Sequence, residues 1–153
     1  MNAFANAEIL LIEDNPRDAE LTQRALKSSG HVHNLIWMKD GVQALEFLFG
    51  PGYPAGAKSL HRPKIIVMDL KLPKINGLEV LRRIKSDPAT KTIPITVLTS
   101  SREKSDIVRC YELGINSYIV KPVAFDQFSH AVAQLGQYWL SLNQPPEPLH
   151  PTA

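Results

Sequence analysis

The chain has one cysteine, Cys110, among 153 residues. A lone cysteine cannot close an intrachain disulfide, which excludes a disulfide-stapled secreted scaffold and fits a reducing cytoplasm. Long apolar runs are missing too, and none approaches the roughly 18 residues expected of a membrane span. The amino-terminal stretch Met-Asn-Ala-Phe-Ala-Asn-Ala lacks both a basic segment and an apolar one, so it does not read as a signal peptide. An excess of either charge is also lacking: 17 Lys and Arg against 15 Asp and Glu leave +2. Without a dense basic cluster, nothing points to nucleic acid. There is no internal repeat. The length suits a single domain, and 44% hydrophobic with 21% charged residues suits a soluble globular one.

What is there is a strand-helix alternation repeated five times. The strands read as Ile9–Glu13, Leu35–Met38, Lys64–Asp69, Ile95–Thr99 and Ser117–Val120, short runs rich in Ile and Val that suit a parallel sheet buried on both faces. Between them lie amphipathic helices. Asn15 as N-cap and Pro16 at the first helical position open the first helix, which carries Ala19, Leu21, Ala25 and Leu26 and ends at Gly30. Asp40 caps a second helix with Val42, Leu45, Phe47 and Leu48. Asn76-Gly77 precedes a third with Leu78, Val80, Leu81 and Ile84, which Asp87-Pro88 stops. A fourth carries Ile107, Val108, Tyr111 and Leu113, and a fifth, about Phe125 to Leu142, carries Phe128, Val132, Leu135 and Trp139. The Gly/Pro-rich segment 50–56 is a loop. Residues 1–7 read as an extension, 8–142 as the domain, and 143–153 as a proline-rich tail. Five such alternations predict an α/β doubly wound sandwich, with a five-stranded parallel sheet in the flavodoxin-like order 2-1-3-4-5 and five helices.

Polar residues at the strand ends carry the chemistry. Glu13, Asp14, Asp69, Thr99 and Lys121 each close or follow one of the apolar runs. Parallel strands end at one edge, so residues distant in sequence meet in one crevice at the switch between the first and third strands. Mg²⁺ takes oxygen ligands, usually one or two carboxylates with waters. Asp14 and Asp69 suit direct ligation, Glu13 ligation through water, and the Lys71 backbone carbonyl the remaining protein ligand. Acids at strand ends are often plain solvated loop residues. Here the acid pair is matched by Asp69 and Lys121 at other strand ends, which favours the metal site. Asp69 can attack phosphorus as a carboxylate nucleophile. Lys121, Thr99 and backbone N–H groups after Asp69 can meet the charge that develops on the phosphoryl oxygens. Tyr118 reads either as a buried strand aromatic or as a rotating switch. The five histidines show no ligand spacing on a recognisable helix face, and Cys110 reads as a packed helix residue.

Ile12-Glu-Asp-Asn-Pro16, Met68-Asp-Leu-Lys-Leu-Pro73, Asn76-Gly77, Leu98-Thr-Ser100 and Tyr118-Ile-Val-Lys-Pro122 together resemble the bacterial response-regulator receiver domain. The resemblance covers roughly Glu8 to Leu142. It implies phosphotransfer from a histidine kinase onto Asp69. It also implies Glu13 and Asp14 as the acidic metal pair, Thr99 as switch hydroxyl, Lys121 as the family's lysine and Tyr118 as switch aromatic. The long segment before the third strand and the absence of an output domain resemble the single-domain partners of phytochrome-type sensor kinases. Ser100 stands where the family often has alanine, which bears on access to the phosphoryl group. Lys71 and Ser101 flank the site and bear on attack by water.

The reading is thus a cytoplasmic, Mg²⁺-dependent phosphoacceptor that signals through protein partners rather than an enzyme. A rival is an aspartyl-nucleophile Mg²⁺ phosphatase, but such enzymes carry a second acid two residues after the nucleophile, where Lys71 stands here. Another is an interaction module that is never phosphorylated, which a missing acid or lysine would have favoured. Phe125, Tyr138, Trp139 and Leu142 exceed what one helix face needs for the core, so part of that surface is expected to pack on a second protomer.

Overall fold

The computed structural model describes residues 7–31, 34–50 and 62–146. The expected loop over residues 51–56, most of the amino-terminal extension, His33 and the end of the proline-rich tail lie outside the described residues. Five strands form one parallel sheet in the order β2-β1-β3-β4-β5: β1 Ile9–Ile12, β2 Leu35–Met38, β3 Ile65–Met68, β4 Ile95–Thr99 and β5 Ser117–Val120. The helices between and after them are α1 Pro16–Ser28, α2 Gly41–Phe49, α3 Gly77–Ser86, α4 Lys104–Leu113 and α5 Phe125–Gln137. This is the doubly wound α/β fold that the alternation predicts.

Alternation along the strands feeds two cores. Ile9, Leu11, Ile65, Val67 and Leu98 pack with Ala19, Leu26, Phe128, Val132 and Leu135, on the side of α1 and α5. Leu10, Ile12, Ile66, Met68, Ile95 and Val97 pack with residues of α2 and α3 and with Cys110 of α4. Burial on both faces explains why β1, β3 and β4 are apolar at nearly every position.

The caps follow the sequence. Asn15 accepts hydrogen bonds from the N–H groups of Arg17 and Asp18, with Pro16 at the first helical position. Asp40 and Asn76 cap α2 and α3 in the same way. Gly114, with φ of 104°, closes α4 in the left-handed conformation that glycine adopts without strain.

Three details differ from the sequence reading. β1 and β3 stop one residue early, at Ile12 and Met68, so Glu13 and Asp69 stand just beyond the last ladder residues. The fifth helix is not uniform: α5 ends at Gln137, and Tyr138–Leu142 is a π-helical turn closed by the Asn143 N–H on the Tyr138 carbonyl at 2.7 Å. The wider winding lets the adjacent Trp139 and Leu140 both pack on the α1/α5 core, while Tyr138 and Leu142 face outward. On α4, Val108 and Tyr111 are exposed, and the fully buried residue is Cys110.

Candidate functional site

In-register parallel pairing aligns Ile12 of β1 with Met38 of β2 and Met68 of β3, so the chain leaves all three strands at one level. The next residues on two of them are Glu13 and Asp69. β4 contributes Thr99 at its last position, and β5 is followed at once by Lys121, whose N–H bonds the Thr99 carbonyl at 2.7 Å. Four segments thus deliver their polar side chains to one edge of the sheet.

Lys121 is the centre of the pocket. Its ammonium donates to Glu13 Oε1 at 2.7 Å, Asp69 Oδ2 at 2.8 Å and Asp18 Oδ2 at 2.9 Å. The Lys121 side chain is only 10% exposed, and those of Glu13 and Asp69 are 3% and 8%. Burial alone would lower the lysine's pKa. The hydrogen bonds it donates to Asp69, Glu13 and Asp18 outweigh it and hold the ammonium above its ordinary range. Burial pushes the Glu13 carboxyl up to about 7; the Lys121 hydrogen bond and charge pull it down, and the Asp69 charge adds to the rise.

Each carboxylate has further partners. Glu13 Oε2 accepts the Asn15 N–H at 3.2 Å, and the Glu13 carbonyl accepts the Trp37 indole N–H at 2.7 Å. Asp69 Oδ1 accepts the Lys71 N–H at 3.2 Å. The loop after Asp69 is fixed by Gly77, whose N–H bonds the Leu70 carbonyl. A β-carbon there would lie 2.5 Å from Leu70 Cα and 2.8 Å from the Asp69 carbonyl oxygen, so the backbone at the nucleophile position requires glycine.

Glu13, Asp14 and Asp69 each offer a carboxylate oxygen within 4.8 Å of the others. Three hard oxygen donors at that spacing fit a divalent cation of the Mg²⁺ or Mn²⁺ type. Asp14 is exposed and gives the group an open side. With Asp18, four carboxylates face one ammonium, so the pocket is anionic and draws cations.

Thr99 is fully buried, and its Oγ1 accepts the Ser101 N–H at 3.4 Å. Ser101 Oγ donates to Asp106 Oδ2 at 2.6 Å, and Tyr118 donates its hydroxyl to the Ser101 carbonyl at 3.0 Å. Thr99, the loop after β4, α4 and Tyr118 are therefore joined by one set of hydrogen bonds. Burial raises the Tyr118 phenol above its ordinary pKa, so the hydroxyl remains a donor near neutral pH.

The fold brings Glu13, Asp14, Asp69 and Lys121 together, places Thr99 at the same strand edge, and joins Tyr118 to Thr99 through Ser101 rather than to the acids. Lys71 touches the site through its backbone N–H, which bonds Asp69, and its side chain is exposed. Asp18, Trp37 and Asp106 were missed. Asp18 occupies the first turn of α1, where an acid is expected simply to complement the helix dipole. No local signal in the sequence marks it as part of the site.

The response regulator receiver domain profile matches residues 9–133. A probable methanogenesis regulatory protein, FilR2 of Methanothrix harundinacea, is 39% identical over 140 residues, covering 92% of this chain and 88% of that protein. Response regulator Rcp1 of Synechocystis sp. is 39% identical over 132 residues, covering 86% and 88%. Its Mn²⁺-bound crystal structure superposes with a TM-score of 0.81, at 38% identity over 91% of this chain and 98% of that one. The phosphorylated cyanobacterial phytochrome response regulator RcpA superposes with a TM-score of 0.82, at 40% identity over 94% and 100%.

Proposed function

The chain belongs to the response regulator receiver domain family, and from that premise we propose that it is a single-domain response regulator phosphorylated on Asp69 by a sensor histidine kinase. The observation that carries this reading is the Lys121 ammonium, held between Asp69, Glu13 and Asp18 at 2.7–2.9 Å in a buried pocket at the sheet edge. Asp69 attacks the phosphorus of a phosphohistidine. A carboxylate O–P bond forms, the P–N bond breaks, and its electron pair leaves with the imidazole nitrogen, which retains or takes up a proton. Lys121 neutralises the nucleophile before attack and then meets the phosphoryl charge, with the Thr99 hydroxyl as a further donor. Glu13, Asp14, Asp69 and the Lys71 carbonyl would hold Mg²⁺, which supplies positive charge to the phosphoryl oxygens when bound. The Mn²⁺-bound structure of Rcp1 supports a divalent cation at such a site.

The output is a change of surface rather than turnover of a substrate. The hydrogen bonds from Thr99 through Ser101 to Asp106 and Tyr118 link the pocket to α4 and β5. Such a two-state shift needs only a few kcal/mol of differential stabilisation. Similarity to the cyanobacterial phytochrome response regulator RcpA supports a phytochrome-type kinase as donor. Among the described residues no helix is long and apolar enough to cross a membrane. Phe125, Tyr138 and Leu142 are exposed apolar side chains on or near α5, and they support packing against a second protomer. A monomer at high concentration in sedimentation, with and without phosphorylation, refutes that dimer.

The deciding experiment is transfer of labelled phosphoryl from phosphorylated histidine kinases, phytochrome-type included, with Mg²⁺ and an Asp69→Asn control. Labelling of wild type alone is expected. Labelling of Asp69→Asn, or none of wild type by kinases and small phosphodonors alike, refutes the assignment.

A further inference from the structure

An ammonium has three hydrogens to give. Lys121 gives them to Glu13, Asp69 and Asp18. The three acceptors are not equivalent. Glu13 and Asp69 also belong, with Asp14, to the group whose oxygens can converge on a cation. A bound cation and an attacking Asp69 both draw on those oxygens. Asp18 lies outside that group and has no second duty at the site.

Asp18 is held by the local structure of its helix rather than by the sheet edge. Its N–H bonds the Asn15 cap at 3.2 Å and its carbonyl accepts the Thr22 hydroxyl at 2.7 Å, so the first turn of α1 fixes its backbone. Its side chain is 31% exposed, at the mouth of the pocket. Lysine carries its charge on a flexible four-carbon stem, so the ammonium's position depends on what holds it. We propose that Asp18 is a positioning residue for phosphoryl transfer: it keeps the Lys121 ammonium at Asp69 while the other two carboxylates are engaged by metal and phosphorus. This rests on the phosphoacceptor reading above and adds a residue to it.

Positioning and plain charge make opposite predictions. A fourth carboxylate should repel an anionic phosphodonor, so charge alone makes any Asp18 variant faster. Positioning makes the variant that loses its acceptor oxygen slower, even at saturating Mg²⁺.

The experiment measures labelling of the full chain by phosphoramidate at saturating Mg²⁺ for wild type, Asp18→Asn, Asp18→Ala and Asp69→Asn. Magnesium affinity is followed in parallel by the fluorescence of Trp37, whose indole bonds the Glu13 carbonyl. Asp18→Asn keeps an acceptor oxygen and drops the charge. Asp18→Ala is expected to slow labelling about tenfold, Asp18→Asn much less, with magnesium affinity unchanged in both. Asp18→Ala labelled as fast as wild type, Asp18→Asn as slow as Asp18→Ala, or a magnesium affinity that falls in step with the rate overturns the positioning role alone. Wild type that takes no label overturns the phosphoacceptor reading and this one with it.

Discussion

Replacing Asp14 with alanine should raise the stability of the metal-free protein and lower that of the magnesium-saturated protein relative to wild type. Its carboxylate oxygen lies within 4.8 Å of those offered by Glu13 and Asp69. At the 4.8 Å limit two unit charges repel by about 0.9 kcal/mol in water and about 3.5 kcal/mol at an effective dielectric constant of 20. Asp14 is exposed, so solvent draws the value toward the lower figure. Glu13, with its pKa near 7, carries only part of its charge at neutral pH, and Lys121 offsets some of the repulsion. A net gain of about 1 kcal/mol is expected without metal. With metal at a hundredfold excess over its Kd, wild type gains about 2.7 kcal/mol. The variant lacks one of three carboxylate ligands and forfeits most of that at the same concentration. The order of stability therefore reverses between chelator and excess magnesium chloride. Urea denaturation near neutral pH reads both. A variant less stable than wild type in chelator, or stabilised by magnesium as much as wild type, refutes the electrostatic reasoning.

Three further outcomes follow from the same site. Magnesium competes with the proton for Glu13, whose pKa is about 7. Affinity should fall as pH drops below that value, by up to about tenfold per pH unit, and level off above it; calorimetric titrations giving a pH-independent affinity sink the idea. Without metal the sign is opposite for stability: the folded state holds this proton more tightly than the unfolded one, so the Glu13 contribution is present below pH 4.5 and is lost as pH rises toward 7. Gly77→Ala should cost about 1–3 kcal/mol and impair phosphorylation, because the backbone beside Asp69 must move to admit the β-carbon. Wild-type stability and labelling in that variant contradict the close approach.

Ile9–Ile12, Ile65–Met68 and Ile95–Thr99 were legible as strands because both faces of each are buried, which leaves Thr96 and Thr99 as the only polar positions in the three runs. The end of the last helix was less legible. Its apolar spacing continues past Gln137, but the change to π-helical winding depends on how Trp139 and Leu140 meet the α1/α5 core. On α4 the spacing of Val108 and Tyr111 misleads. The fold needs only Cys110 of that turn for the interior and leaves those two outside.

By itself the sequence determined the strands, their parallel arrangement and hence that Glu13, Asp14, Asp69, Thr99 and Lys121 share one edge, because alternation with helices forces every strand to end there. Only the tertiary structure decided how those residues pair. Lys121 and its three acceptors are separated by 52 to 108 positions, and no local pattern encodes a three-way bond of that reach. Asp18 shows the division most clearly: as a residue of α1 it is an ordinary first-turn acid, and only the tertiary fold, in which α1 packs against α5, brings it to the lysine.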